Sequence, residues 1–332
     1  MHHFCTYFDQ NYLPRGLALY ESLRKHCPDF KLWILCMDQT ACEILSKLKL
    51  PYIQPIPLEE FEKNDEELLR AKKTRSRIEY YFTCTPSLPL YIFKHYDDVN
   101  LITYLDADLF FFADPTPLFD ELKSNSIAII GHRFPARIRE LEKYGIYNVG
   151  WLSFRRDETG MECLSWWRKL CLEWCYDHVE EERFADQKYL NRFPERFGHK
   201  IIMQHKGANV APWNIENYHL HAVGTTVYVD EQPLIFFHFQ GFKQITSCVY
   251  DWGLWPYDIR MSQTLLDNIY FPYIRTLQHP LLDKLSLKTI RNRKTRQNIF
   301  IKFKNTFEWC YMFLLGILKR RFALIFNGKV IW

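Results

Sequence analysis

Glycine is scarce in this 332-residue chain, with 12 in all, and no phosphate-cradling glycine loop is among them. Neither G-x-G-x-x-G nor G-x-x-x-x-G-K-[ST] occurs, so dinucleotide-binding and P-loop chemistry are unsupported. No G-x-S-x-G is present, which leaves out a serine nucleophile on a strand-to-helix elbow. The 10 cysteines include no C-x-x-C pair, and Cys171 and Cys175 stand at helical spacing. That excludes neither thiol nor disulfide outright, but it is the pattern of neither a disulfide framework nor a zinc site. Reduced, buried thiols in a cytosolic compartment are the simplest reading. No charged segment and apolar run precede the strand-like His2–Phe8, so no secretory signal is expected. No repeat or low-complexity linker is seen, and no apolar stretch reaches the ~20 residues a membrane-spanning helix needs.

What is present is an ordinary globular balance, 48% hydrophobic and 25% charged, which predicts one large buried core. Aromatics make up 17%, enough to fill that core or to cradle sugars and nucleobases. The net charge of +4 is unevenly spread. Residues 280–332 hold 12 Lys and Arg against Asp283 and Glu308, so the tail carries +10 and the rest of the chain −6. A mildly acidic body argues against nucleic acid as a partner, and the basic tail points to an anionic one.

The first half alternates. Phe4–Phe8 reads as a buried strand, and Pro14 suits the first turn of a helix running to His26. Leu32–Met37 is a second strand, Thr40 a candidate cap for the helix after it, and Tyr52–Ile56 a third strand. This β-α-β-α-β order predicts a parallel sheet with helices on both faces. Residues 58–73 are charged and helical in pattern, and Arg77–Tyr96 is apolar and helical with interruptions at Pro86 and Pro89. Leu101–Leu105, Ser126–Gly131, Ile146–Phe154 and Ile235–Phe239 are further strands, with helices expected over Glu158–Asp177 and Ala185–Asn191.

The sharpest signal is Tyr104-Leu105-Asp106-Ala107-Asp108-Leu109-Phe110. An apolar strand delivers two carboxylates two residues apart. In extended geometry both face one side while Ala107 faces the other, so both can meet one ion. Hard oxygen ligands suit Mg²⁺ or Mn²⁺, and such an ion would neutralise charge on a departing diphosphate. The pair also lies at the carboxyl end of a strand, where open α/β sheets bind ligands. The alternative is a polar turn closing the strand.

In this pattern the chain resembles the GT-A fold glycosyltransferases, and most of all family 8, the type of glycogenin and bacterial lipopolysaccharide galactosyltransferases. The resemblance runs from about residue 4 to 243 in the family's order. Asp9-Gln10-Asn11-Tyr12 is similar to a D-x-N-Y whose Asp9 and Asn11 would contact the nucleobase. Asp106 and Asp108 match the metal pair. Asn148-Val149-Gly150 and Asp186-Gln187 are similar to stretches that line the sugar pocket. His238-Phe239-Gln240-Gly241-Phe242-Lys243 is similar to H-F-x-G-x-x-K, in which His238 would be the third metal ligand and Lys243 would hold a phosphate. The lysine comes one residue early here, and no Pro-Trp follows.

The residues also permit blander readings. Asp9 can start a loop or cap the coming helix. His238 can be a packed core histidine. Gly241, in contrast, suits the binding reading, since it lets backbone approach a phosphate closely. Arg75 and Arg77 can reach the diphosphate or sugar, or can belong to a solvated helix face. The resemblance implies retention at the anomeric carbon; in an inverting enzyme Asp186 would instead be a general base.

The expected organisation is a mixed α/β GT-A (Rossmann-like) domain over 1–279, with a nucleotide-binding half to about 110 and an acceptor half over about 111–250. A basic amphipathic helical tail, 280–332, follows. There Phe307–Leu318 is almost wholly apolar between basic flanks, which fits a segment lying in a membrane interface or a helix packed on the domain. The function expected is metal-dependent transfer of a hexosyl unit from a UDP-sugar to a glycan or lipid-linked acceptor in surface polysaccharide biosynthesis. The site would be peripheral, at the cytoplasmic face of an anionic membrane. Nucleotidyl transfer to sugar phosphates and a non-catalytic nucleotide-sugar-binding protein are the rival readings.

Overall fold

The computed structural model describes residues 1–198, 201–245 and 249–278, together with the backbone of two short strands near the C-terminus. The N-terminal half alternates as the sequence suggests: β1 (His2–Phe8), α1 (Leu13–His26), β2 (Phe30–Cys36), α2 (Gln39–Leu48) and β3 (Ile53–Pro57). Helices α3 (Leu58–Glu62), α4 (Glu66–Thr74), α5 (Arg77–Cys84) and α6 (Ser87–His95) lead to β4 (Leu101–Leu105). Then come β5 (Leu109–Phe111), α7 (Thr116–Leu122), β6 (Ile127–Gly131), β7 (Tyr147–Arg155), α8 (Glu158–Glu173) and β8 (Ile202–Met203).

Seven strands form one sheet in the order β3-β2-β1-β4-β7-β6-β8. β3, β2, β1 and β4 are parallel, and β7 runs antiparallel between β4 and β6. Strand alternation divides the core between the two faces. Leu32, Ile34 and Cys36 of β2 belong to the cluster on the face covered by α1 and α2, whereas Trp33 and Leu35 belong to the cluster on the opposite face, with residues of α3, α6 and α8. Gly16 lets α1 lie directly on β1, since a Cβ there would sit 2.2 Å from the Phe8 ring.

Several local expectations change. Asp38 caps α2, accepting from Ala41 N at 2.8 Å, because its backbone is still extended while Thr40 already lies in the first turn. The apolar 77–96 stretch divides at Thr85–Pro86. Pro86 precedes α6, and Pro89 falls in its first turn, where no N–H is needed. α8 ends at Glu173 rather than Asp177. The helix expected from Ala185 is a short 3-10 turn, Lys188–Arg192, because Ala185 is left-handed at φ 46°.

After β8 a small antiparallel meander forms from β9 (Leu220–Val223), β10 (Thr226–Val229) and β11 (Gln232–Pro233). β12 (Phe236–His238) then returns to pair antiparallel with β5. An aromatic cluster of Phe110, Phe237, Phe239, Phe242, Tyr270 and Tyr273 fixes that return beneath α1. β13 (Lys243–Gln244) pairs with β14 (Val249–Asp251). The expected helical tail lies mostly outside the described residues. Within it, β15 (Phe322–Phe326) is a strand that pairs antiparallel with β14, and β16 (Lys329–Val330) follows. Among the described residues no helix is long and apolar enough to cross a membrane.

Candidate active site

β4 ends at Leu105, and the chain turns at once, with Leu109 N donating to Asp106 O at 3.2 Å. Asp106 and Asp108 therefore converge through a tight turn and not through the extended alternation expected from the sequence. β12 brings the third group. His238 stands opposite Leu109, and Phe239 N donates to Asp108 O at 3.0 Å. His238 Nε2 lies 3.2 Å from Asp108 Oδ1 and 3.7 Å from Asp106 Oδ2. One ligand atom from each residue falls within 4.8 Å of the others.

Burial pushes Asp106 up to about 6, despite the nearby imidazole. For Asp108 burial acts in the same direction, but His238 and Arg15 outweigh it and hold the carboxyl below its ordinary value. Burial acts to lower His238, and its two carboxylate neighbours raise it overall. His238 Nδ1 is buried without a hydrogen-bond partner. Two carboxylates and one imidazole at this spacing form a donor set that Mn²⁺ or Mg²⁺ accepts. Tyr104 Oη donates to Asp106 Oδ1 at 2.9 Å, which leaves Oδ2 on the side of His238.

β7 crosses beside this cluster. A Cβ on Gly150 would lie 2.5 Å from Asn148 Oδ1 and 3.0 Å from His238 Nδ1, so glycine leaves both side chains their place. Asn148 Oδ1 accepts from Gly150 N at 3.0 Å, and its Nδ2 faces His132 Nε2 at 3.1 Å and Gln187 Oε1 at 3.3 Å. Burial pushes His132 down to about 3, so the ring is neutral and Nε2 accepts. Gln187 Nε2 donates to Tyr144 O at 3.0 Å. Asp186 is 4% exposed, and burial pushes its carboxyl up to about 7. The Thr85 hydroxyl beside it favours ionisation, and the charge of Asp106 opposes it. Asp186, Thr85, Tyr7, Tyr104 and Asp106 form a polar row that runs from the buried interior to the half-buried Asp106, with Tyr7 Oη 3.2 Å from Thr85 Oγ1.

Asp9 is buried and organises the β1–α1 loop, with Oδ1 accepting from Asn11 N at 2.8 Å and Tyr12 N at 3.2 Å. It does not cap α1, whose N-cap is Tyr12. Asn11 Nδ2 and Arg77 Nη2 donate to Asp9 Oδ2 at 3.1 and 2.6 Å. Arg77 is thus tied to Asp9 from the start of α5. Arg75 belongs elsewhere: it lies on the Tyr176 ring and donates to carbonyls at the end of α8. Gly241 has φ +78° and packs against Gly253. Lys243 is exposed in β13, opposite Asp251.

The sequence reading missed Tyr104, His132, Trp213 and Arg15. Tyr104 adjoins the carboxylate pair and was readable only as core. His132 enters through the sheet topology and Trp213 through the loop after β8, its indole donating to His132 O at 2.8 Å and standing edge-on to His238 at 5.1 Å. No local pattern marks either.

A family model described as Glycosyl transferase family 8 matches residues 3–145. The chain is 35% identical over 279 residues to the uncharacterized protein YfnD of Bacillus subtilis (strain 168), covering 83% of this chain and 88% of that one. It is 34% identical over 254 residues to the uncharacterized protein YfnF of the same strain, covering 73% and 82%. A crystal structure of the galactosyltransferase LgtC in complex with donor and acceptor sugar analogs matches with a TM-score of 0.50 at 17% identity, covering 72% of this chain and 87% of that one. At that identity the likeness establishes the fold alone.

Proposed function

The chain belongs to glycosyl transferase family 8, and from that premise we propose that it transfers a hexosyl unit from a UDP-sugar to a hydroxyl of a glycan or lipid-linked acceptor in surface polysaccharide biosynthesis. It is a glycosyltransferase of the GT-A fold, with a nucleotide sugar as donor. Nucleotidyl transfer and a non-catalytic binding role fall away with that membership. The observation that carries the finer reading is the convergence of Asp106, Asp108 and His238 at the carboxyl end of β4.

In this reading Asp106, Asp108 and His238 hold Mn²⁺ or Mg²⁺. When bound, the ion neutralises charge on the departing diphosphate. Asp9 and Asn11 face the nucleobase, with Arg77 holding the Asp9 carboxylate in place. Asn148 and Gln187 present amide groups to the donor sugar, and neutral His132 fixes the Asn148 amide. Asp186 supplies a carboxylate close to the reacting carbon, where an oxocarbenium-like transition state carries positive charge. Family resemblance favours retention; with inversion, Asp186 is the general base. Nuclear magnetic resonance of the first product distinguishes the two.

The test is a donor screen in Mn²⁺ that reads nucleoside diphosphate release. One UDP-sugar is expected to be hydrolysed, and chelation with EDTA should abolish the release. No metal-dependent release from any donor would overturn the reading. Attachment of residues 280–332 to an anionic membrane at its cytoplasmic face is proposed on charge alone, at roughly 1 kcal/mol per basic residue near the surface. The protein should float with anionic vesicles at low salt and lose that affinity when Lys288, Arg291, Arg293 and Lys294 are changed to Glu. Equal flotation of both forms would remove the proposal.

A further inference from the structure

Resting on the UDP-sugar reading, we infer that Arg15 of α1 binds the diphosphate of the donor, the role that family resemblance assigns to Lys243. Arg15 lies in the first turn of α1, immediately after the loop that Asp9 organises. Its Nη2 donates to Phe242 O at 2.6 Å, inside the segment that follows His238. Its guanidinium stands 4.2 Å over the Tyr12 ring, and Tyr12 is 43% exposed at the mouth of the same loop.

The charge arrangement singles it out. Among the described residues Arg15 forms no ion pair, and Asp108 is a carboxylate whose charge it feels. With Asp108 holding a divalent ion, a largely desolvated guanidinium near that carboxylate would be left without a balancing anion. An uncompensated cation in such surroundings is costly, and a diphosphate bridging ion and guanidinium removes the cost. The Tyr273 hydroxyl, on a fully buried residue, lies against the guanidinium and helps hold it in place. A planar guanidinium offers five donors in a fork that matches phosphate oxygens, and the carbonyl of Phe242 takes one. Lys243, by contrast, sits exposed on β13, one residue earlier than the family spacing.

Calorimetric titration of the full chain with UDP and with UMP, both in Mn²⁺, tests this. Arg15→Ala should weaken UDP by roughly 10- to 100-fold, the range for a charge-assisted hydrogen bond to phosphate. UMP, which lacks the second phosphate, should change by no more than about 3-fold. Arg15→Lys, which keeps the charge without the fork, should fall between, and Lys243→Ala should lose less UDP affinity than Arg15→Ala. Thermal melting in parallel shows whether each variant is folded, and Arg15→Lys serves if Arg15→Ala is not. Equal loss of UDP and UMP would make Arg15 a prop for the Phe242 segment and overturn the inference. A larger UDP-specific loss in Lys243→Ala would return the role to that lysine. Absence of UDP binding by the unaltered protein would instead sink the donor reading itself.

Discussion

Replacing Asp108 with alanine is expected to lower metal-dependent turnover by roughly 10³-fold, the scale of losing one preorganised electrostatic contact at a reacting centre. The carboxylate is 8% exposed, lies 3.2 Å from His238 Nε2, and is kept ionised by His238 and Arg15 against the pull of burial. It therefore offers a charged oxygen to an ion without first losing a proton. Alanine would remove that ligand, leaving His238 without its nearest carboxylate and Arg15 without the charge of Asp108. The turn itself is held by backbone contacts, Leu109 N to Asp106 O and Phe239 N to Asp108 O, so the fold should survive. Turnover, Mn²⁺ dependence and circular dichroism are the measurements. Wild-type turnover, or an unchanged metal requirement in a folded variant, would remove Asp108 from the metal site. Asp108→Asn, which keeps one neutral oxygen, should retain weak activity at high Mn²⁺.

Asp186→Asn should separate stability from function. Burial raises this carboxyl from an ordinary value of 3.8 to about 7. In the unfolded chain it ionises near its ordinary value, so between pH 3.8 and about 7 the folded state holds the proton that the unfolded state has released. Stability attributable to this group is complete below that window and is lost as pH rises through it. The neutral amide carries no such penalty. At pH 8 the variant should thus melt higher than the unaltered protein, its unfolding free energy being larger by on the order of a few kcal/mol. The advantage should shrink toward zero as pH falls to about 4. Its turnover should fall roughly 10²-fold if, as proposed, this carboxylate faces the reacting carbon. A variant that melts lower at pH 8, or that turns over normally, would show that Asp186 is a structural group. A buried carboxyl that destabilises the fold at neutral pH is what a site retained for chemistry produces.

The sequence alone determined the order of the first strands and helices, because hydrophobic periodicity and turn residues act locally. It also marked Asp106, Asp108 and His238, since two carboxylates after an apolar strand and a histidine after another are chemical signals that need no coordinates. Asp9, Asn148 and Gln187 were legible through the family's order of motifs. It could not show that the carboxylates meet through a tight turn, that Gly150 leaves room for the Asn148 and His238 side chains, or that Asp38 caps α2. Each of those follows from backbone angles and cross-chain contacts. Arg15 lies more than 200 residues from Phe242, and His132 reaches Asn148 only because β6 and β7 are neighbours in the sheet. Charge balance, burial and the pKa of Asp186 depend on which groups the fold encloses together, and local sequence carries no record of that enclosure; the tertiary structure decided it.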